Sequence, residues 1–338
     1  MESTPQQPTP ENEKDPIAFN NRVDLEKLQA SAAALTESLG QVIVGQKDLV
    51  EMLLIALLAD GHALIEGVPG IAKTLSAKML SRGLNIGYSR IQFTPDLMPS
   101  DILGTSVFNA KTTDFEFKKG PIFSNIILID EINRAPAKTQ AALFEAMAEQ
   151  QISMDGQTYP LPPPFLVIAT QNPIEQEGTY RLPEAQLDRF LFKIPITYPN
   201  LEEEVEILRR KHALQGQEES TLIEPILGPE EIQAYQASIQ KIIVKEELMR
   251  YIAEIVNRTR ENASLYLGAS PRASIAILQG AKAQAALRGR DFVTPDDIKR
   301  VAPYVLSHRI VLTPEREMEG ATTMEVIRQL LDSVEIPR

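Results

Sequence analysis

Apolar residues recur along this chain in three rhythms, and each rhythm predicts its own kind of element. Leu25, Leu28, Ala32, Leu35 and Leu39 stand three and four apart, the spacing of one helix face, and Gly40 is the expected stop. After the short apolar segment Val42-Ile43-Val44-Gly45-Gln46, a second helix is predicted from Lys47 to Ala59. Apolar runs occur within His62–Ile65, Asn125–Glu131 (NIILIDE) and Phe165–Thr170 (FLVIAT), and Leu191–Ile196 (LFKIPI), interrupted by Lys193, reads as a core strand as well. They are too short for buried helices and fit strands covered on both faces. Tyr88–Phe93 (YSRIQF) reads as a further strand, so that Leu191–Ile196 is the fifth. Two segments instead alternate about polar turns and predict hairpins: Thr105–Phe117, and Gln151–Tyr159 around Asp155-Gly156.

Helices are predicted between and after these strands. One follows Gly70, one spans Ala137–Gln150, and a short one over Leu182–Phe190 ends in Arg189. From Leu201 the chain turns to charged helix, with Glu202-Glu203-Glu204 early and Arg209-Arg210-Lys211 late. That order suits a helix dipole and predicts a solvated face. Further helices are predicted over Pro229–Gln240, Lys245–Glu261, Pro271–Leu287 and Thr294–Leu306. Strands alternating with helices, then helices alone, predict an α/β unit on a parallel sheet followed by a helical unit. The expected division is a disordered tail over residues 1–20, an α/β core over 21–200 and a helical unit over 201–338, with the boundary near Asn200.

Composition narrows the chemistry. The chain has no cysteine and only three scattered histidines, His62, His212 and His308, which leaves no disulfide framework and no thiolate or histidine-rich metal site. The first residues are polar and acidic, and no apolar run is long enough to cross a bilayer, so a cytoplasmic protein without direct membrane insertion is expected. A net charge of −12 disfavours a general nucleic-acid binder, which needs a basic footprint.

The candidate chemistry centres on GVPGIAKT, Gly67 to Thr74, between a strand and a helix. Strand, glycine-rich turn, Lys-Thr and helix are the parts of a phosphate-binding loop. Gly67, Val68, Pro69, Gly70, Ile71, Ala72, Lys73, Thr74 and Leu75 are the candidate nucleotide-binding residues. The glycines allow successive N–H groups to face one concavity at the positive end of a helix. The Lys73 ammonium can reach the β- and γ-phosphates, and the Thr74 hydroxyl can ligate Mg²⁺. Ala72 stands where the general pattern has glycine; a methyl is tolerated there if the residue has helical backbone angles, because only a positive φ would demand glycine. Val42, Ile43 and Gly45, ahead of the loop, either pack against an adenine or belong to interhelical core. Asp130 and Glu131 end a buried strand, where ligands collect in open α/β sheets. Asp130 is placed to hold the Mg²⁺ shell and Glu131 to polarise an attacking water. Asn172, ending FLVIATQN, can set its amide against the γ-phosphate or that water; Asn before Pro is also a common turn opener.

In order, the phosphate loop, NIILIDE, IATQN, LPEAQLDRF and GASPRASI resemble the motifs of AAA+ ATPases, and of their MoxR family in particular, over about Val42 to Leu306. The resemblance implies a five-stranded parallel-sheet core with flanking helices, an all-helical lid, and a hexameric ring that binds and hydrolyses ATP with Mg²⁺. It implies that the two hairpins engage a client, and that a von Willebrand factor A domain protein is the partner. Alanine at position 72 is usual in that family. The matching positions carry roles across: Lys73, Thr74, Asp130 and Glu131 as phosphate-loop and acidic motifs, Asn172 as first sensor, Arg189 as the finger completing a neighbour's site, and Arg272 as second sensor. The residues alone leave Arg134 and Arg181 open as fingers, and leave open whether Arg272 serves its own nucleotide or the next subunit's. A guanidinium suits any of these roles, because it stays charged and binds phosphate through parallel bonds.

The leading expectation is thus an ATP-driven, chaperone-like remodeller of a protein client. The alternatives are a nucleic-acid motor, a metal-chelatase-type motor subunit, and a nucleotide-binding structural subunit. Lys111, Lys118 and Lys119 on the first hairpin are diluted by Asp114 and Glu116, which weakens the nucleic-acid reading.

Overall fold

A computed structural model of the chain describes residues 25–68, 70–172, 180 and 182–337. The tail over residues 1–20, and Pro69, Pro173 and Arg181, lie outside the described residues. Chain order begins with α1 (Glu26–Val42), α2 (Lys47–Leu58), β1 (Ala63–Glu66), α3 (Lys73–Gly83) and β2 (Tyr88–Gln92). The short α4 (Pro99–Leu103) leads into a hairpin of β3 (Gly104–Asn109) and β4 (Asp114–Lys119). Next come β5 (Ile126–Asp130), α5 (Ala137–Glu149) and a second hairpin, β6 (Gln151–Met154) with β7 (Gln157–Pro160). Strands β8 (Leu166–Gln171) and β9 (Phe192–Pro195) are separated by α6 (Glu184–Leu187). The remainder holds α7 (Leu201–Ala213), α8 (Pro229–Ile239), α9 (Glu246–Glu261), β10 (Leu265–Leu267), α10 (Pro271–Leu287) and α11 (Pro295–Leu306). It closes with β11 (Val311–Leu312), α12 (Pro314–Met318) and α13 (Thr323–Ser333).

The expected five-stranded parallel sheet is present, in the order β2-β5-β8-β1-β9. Its unbroken apolar runs serve two cores at once, because successive strand side chains point to opposite faces. Ile126 and Leu128 pack on the side of α1, α2 and α3, whereas Ile127 and Ile129 pack with Leu143, Phe144 and Met147 of α5. Parallel pairing gathers the carboxyl ends of the strands at one end of the sheet. Register sets Gln92 beside Asp130 and Glu66 beside Gln171 there.

The two hairpins dock on each other as well as forming separately. Asp155 and Gly156 take φ of 51° and 75°, the left-handed pair that a two-residue type I′ turn requires. Phe117 of β4 stacks on Tyr159 of β7 with ring centroids 4.5 Å apart, and Ser106 of β3 donates to Asp155.

The helical remainder is fastened to the core. The first apolar cluster runs without a break from Leu28, Leu53 and Phe192 to Ile277 and Val301. Arg300 of α11 reaches Asp48 of α2 at 2.7 Å and also bonds Glu51, while Tyr304 reaches Asp48 at 3.2 Å. The helical part also carries a short antiparallel ladder, β10 with β11. Gly40 does not stop α1, which continues to Val42 before Ile43 turns extended. Glycine costs a helix only about 1 kcal/mol, and burial of Leu35 and Leu39 on the same helix outweighs it.

Candidate nucleotide-binding site

The phosphate loop leaves β1 under tight packing. A Cβ on Gly67 would sit 2.7 Å from the Ile196 carbonyl oxygen, so only glycine lets the loop pass the end of β9. Gly70 turns the chain at φ 86°. Ala72 does not meet the condition of helical angles: its φ is 40° and ψ 14°, left-handed, and the methyl is accommodated at a cost in strain. Lys73 opens α3, whose first turn carries no acidic residue to cancel its positive end. The Lys73 ammonium donates to the Gly67 carbonyl. Burial lowers its pKa, and the nearby charges of Asp130, Glu131 and Glu66 act against that shift.

The acids arrive from β5, on a cavity of about 360 Å³ shared with the loop. Asp130 Oδ2 accepts from Arg90 Nε at 2.6 Å, and its Oδ1 accepts from the Thr170 hydroxyl at 3.4 Å. Bonding to Asp130 raises the Arg90 pKa against its partial burial. Glu131 takes φ 56°, a strained left-handed turn whose N–H donates to Thr170 Oγ1 at 3.0 Å. That turn swings its side chain toward β2 and the following 3₁₀ turn. Glu131 Oε2 accepts from Gln92 Nε2 at 2.9 Å and lies 3.2 Å from Arg134 Nε. Lys73, Thr74, Asp130, Glu131 and Asn172 all line this one cavity, as does Thr170.

A second cavity, of about 600 Å³, adjoins the first across Gly70, Ile71, Ala72 and Leu75. Its walls are Val42, Ile43 and Val44 on one side, and Ile207, Leu208 and Leu214 of α7 and its end on the other. Ile43 is buried in the core and also borders this apolar space, so the interhelical placement of the Val42 segment leaves it on the wall of the cavity. Gly45 lines neither cavity; with φ 74° it turns α1 into α2 beside Glu203. Gly67 and Val68 likewise line neither and act by shaping the loop. Helix α7 is not solvated all round: Asn200 and Glu203 cap it reciprocally, and its Ile207, Leu208 and Ala213 border the cavity.

Arg189 and Arg272 stand apart from this constellation. Both border a cavity of about 290 Å³ with Asp60, Gly61 and His62, which precede β1. Leu191, ahead of β9, donates its N–H to the His62 carbonyl at 2.8 Å. That is the amino end of the parallel sheet, about 13 Å from the carboxyl end along a four-residue strand. Arg189 Nη1 donates to the Phe144 carbonyl at 3.2 Å, and Arg272 lies 3.5 Å from Asp188. Arg134, by contrast, sits on its own chain's Glu131.

Residues 62–192 match the family model "ATPase family associated with various cellular activities (AAA)", and residues 257–330 match "AAA lid domain". The chain is 45% identical to Chaperone MoxR1 of Mycobacterium tuberculosis over 307 residues, 88% of this chain and 80% of that protein. The chain belongs to the MoxR family of AAA+ ATPases. It is also 45% identical over 315 residues to the Bacillus subtilis protein YeaC, covering 92% of this chain and 97% of YeaC. A crystal structure of a candidate ATPase from Cytophaga hutchinsonii superposes with a TM-score of 0.85 at 44% identity, covering 92% of this chain and 97% of that one.

In this MoxR-family chain, sequence reasoning missed Arg90, Gln92 and Thr170. The signal was available in part: polar residues punctuating strands whose carboxyl ends meet at a phosphate loop. Ile207 and Leu208 are hidden for a different reason: the acidic and basic runs on either side of them mark α7 as a charged, solvated helix. Among the described residues no cluster of three or more His, Cys, Asp or Glu could hold a metal alone. Mg²⁺ needs no such cluster, since it takes one or two protein oxygens and fills the rest with water and substrate phosphates. The Thr74 hydroxyl and Asp130 carboxylate, hard oxygen donors on one cavity, fit that demand.

Proposed function

We propose that this chain hydrolyses ATP and spends the cycle on remodelling a partner protein. The observation that carries the reading is the single cavity joining Lys73 and Thr74 to Asp130, Glu131 and Asn172, beside an apolar space with ample room for a nucleobase. Adenine would enter between the Val42 segment and α7, and the phosphates would lie over Gly70 to Thr74. Lys73 would move from the Gly67 carbonyl to the β- and γ-phosphates. Thr74 and Asp130 would hold Mg²⁺, which would supply neutralising positive charge at the phosphates. Glu131 would polarise the attacking water and Asn172 would position it.

Arg189 and Arg272 would act on a neighbouring subunit's nucleotide. Their place at the amino end of the sheet supports that reading, since their own chain's phosphate loop is at the other end. It calls for a ring in which each carboxyl end faces the next amino end, and a hexamer is the assembly we assign. Residues 21–200 would be the ATPase core and 201–338 the lid. The mobile part of that lid would be α7, none of whose residues is buried, rather than α10 and α11, which are fastened to α2. The docked hairpins would move with Glu131 and engage the client, with a von Willebrand factor A domain protein as partner and the cytoplasm as compartment. No helix among the described residues is long and apolar enough to cross a membrane. The nucleic-acid and chelatase readings are not favoured: a relative at 45% identity is named a chaperone.

The test is a pull-down from cell extract with Glu131→Gln held in the ATP state. Enrichment of a von Willebrand factor A domain protein is expected; recovery of nucleic acid alone would overturn the reading.

A further inference from the structure

The segment Asp188-Arg189-Phe190-Leu191 carries Arg189 to the amino end of the sheet, and one buried guanidinium holds it from behind. Arg309, just beyond α11, engages all five of its N–H donors. Nε donates to Asp188 Oδ1 at 2.6 Å, and Nη2 donates to the carbonyls of Asp188 and Phe190 at 3.1 and 2.8 Å. Nη1 donates to the carbonyls of Leu191 and Val305 at 3.2 and 2.6 Å. The other carboxylate oxygen of Asp188 faces Arg272 Nη1 at 3.5 Å. One carboxylate thus spans a buried arginine and an exposed one: the side chain of Arg309 is 5% exposed and that of Arg272 73%. Burying a guanidinium is costly unless a partner and full hydrogen bonding compensate it, and both are present here.

We infer that Arg309 and Asp188 are positioning residues, which hold Arg189 and Arg272 together in the orientation that completes a neighbouring subunit's nucleotide site. The inference rests on the proposed reading that those two arginines act between subunits. Arg309 fixes the backbone on both sides of Arg189, while Asp188 orients Arg272 across the same small cavity. Catalytic groups held by a rigid surrounding shell lose activity steeply when that shell loosens. Lysine cannot replace Arg309, because an ammonium is a point donor without the planar fork.

The test is Arg309→Lys, assayed alone and mixed with Glu131→Gln subunits. Alone, it should bind fluorescent ATP with wild-type affinity, while kcat falls by about 10- to 100-fold, short of the ~10³-fold expected for losing such an arginine outright. Mixing should restore turnover several-fold above either variant alone, because the Arg309→Lys subunit has an intact site and receives intact arginines from its Glu131→Gln neighbour. Arg189→Ala mixed with Glu131→Gln is the reference. If that reference pair recovers and the Arg309→Lys pair does not, or if Arg309→Lys has wild-type kcat, the positioning role is overturned. If the reference pair itself fails to recover, the between-subunit reading falls and this inference with it. Should Arg309→Lys not fold, Asp188→Asn, which leaves the backbone carbonyls in place, goes through the same mixtures with the same expectations.

Discussion

Ala72 offers a test in which the sign alone decides. Its φ of 40° places an alanine in the left-handed region at the hinge of the phosphate loop. An L-residue there costs about 1–2 kcal/mol relative to glycine. Glycine in turn gives back about 0.4–1 kcal/mol through its greater freedom in the unfolded chain. Ala72→Gly should therefore stabilise the protein by about 0.8 kcal/mol at the middle of those ranges, and by about 0–1.6 kcal/mol across them. Ala72→Val, which puts a β-branched side chain at positive φ, should destabilise it by about 1 kcal/mol or more. The assay is urea unfolding, read as a shift in midpoint at unchanged slope. Had Ala72 helical angles, glycine would instead cost about 1 kcal/mol. A glycine variant less stable than wild type would refute the left-handed assignment.

Two further outcomes follow from buried and constrained groups. Burial above all pushes the pKa of His62 below its ordinary value of 6.5, and that of His308 well below it. His62 Nδ1 accepts the Val167 N–H at 3.2 Å, so protonation there would set two donors face to face. The unfolded chain then binds protons that the folded chain refuses. Stability should be complete above about pH 6.5 and fall below it, at on the order of 1.4 kcal/mol per pH unit for each histidine; a urea midpoint unchanged between pH 7 and 5.5 would contradict this. Gln92→Ala removes one donor from Glu131 at a half-exposed site, a restraint of about 1 kcal/mol. If that restraint must yield before chemistry, basal turnover should rise by up to ~5-fold; a fall would mean that Gln92 holds Glu131 in its working position.

Much of the sheet was legible because burial on both faces demands unbroken apolar runs, and NIILIDE and FLVIAT have no other use. Lys73, Thr74, Asp130, Glu131 and Asn172 were legible because a parallel sheet brings its carboxyl ends together, so separate motifs need not be close in sequence to meet. What escaped depends on neighbours in space. Two of the partners of Asp130 and Glu131 come from β2, and no local pattern says that Arg90 and Gln92 face them. Arg309 follows α11 as an ordinary basic residue, and only the fold buries it behind Asp188. The helix α13 did have a local signal, Thr322 with Glu325, whose side chain and backbone cap each other. Ala72 takes its left-handed angles without any local signal, since an alanine does not announce a positive φ.

The claim on which the rest depends is that Lys73 and Glu131 work on one nucleotide. The most direct measurement compares ATP binding and steady-state ATP hydrolysis in wild type, Lys73→Ala and Glu131→Gln. Lys73→Ala should lose binding, and Glu131→Gln should bind ATP as wild type does while hydrolysing it at least ~10²-fold more slowly. Equal hydrolysis by Glu131→Gln and wild type would contradict the account.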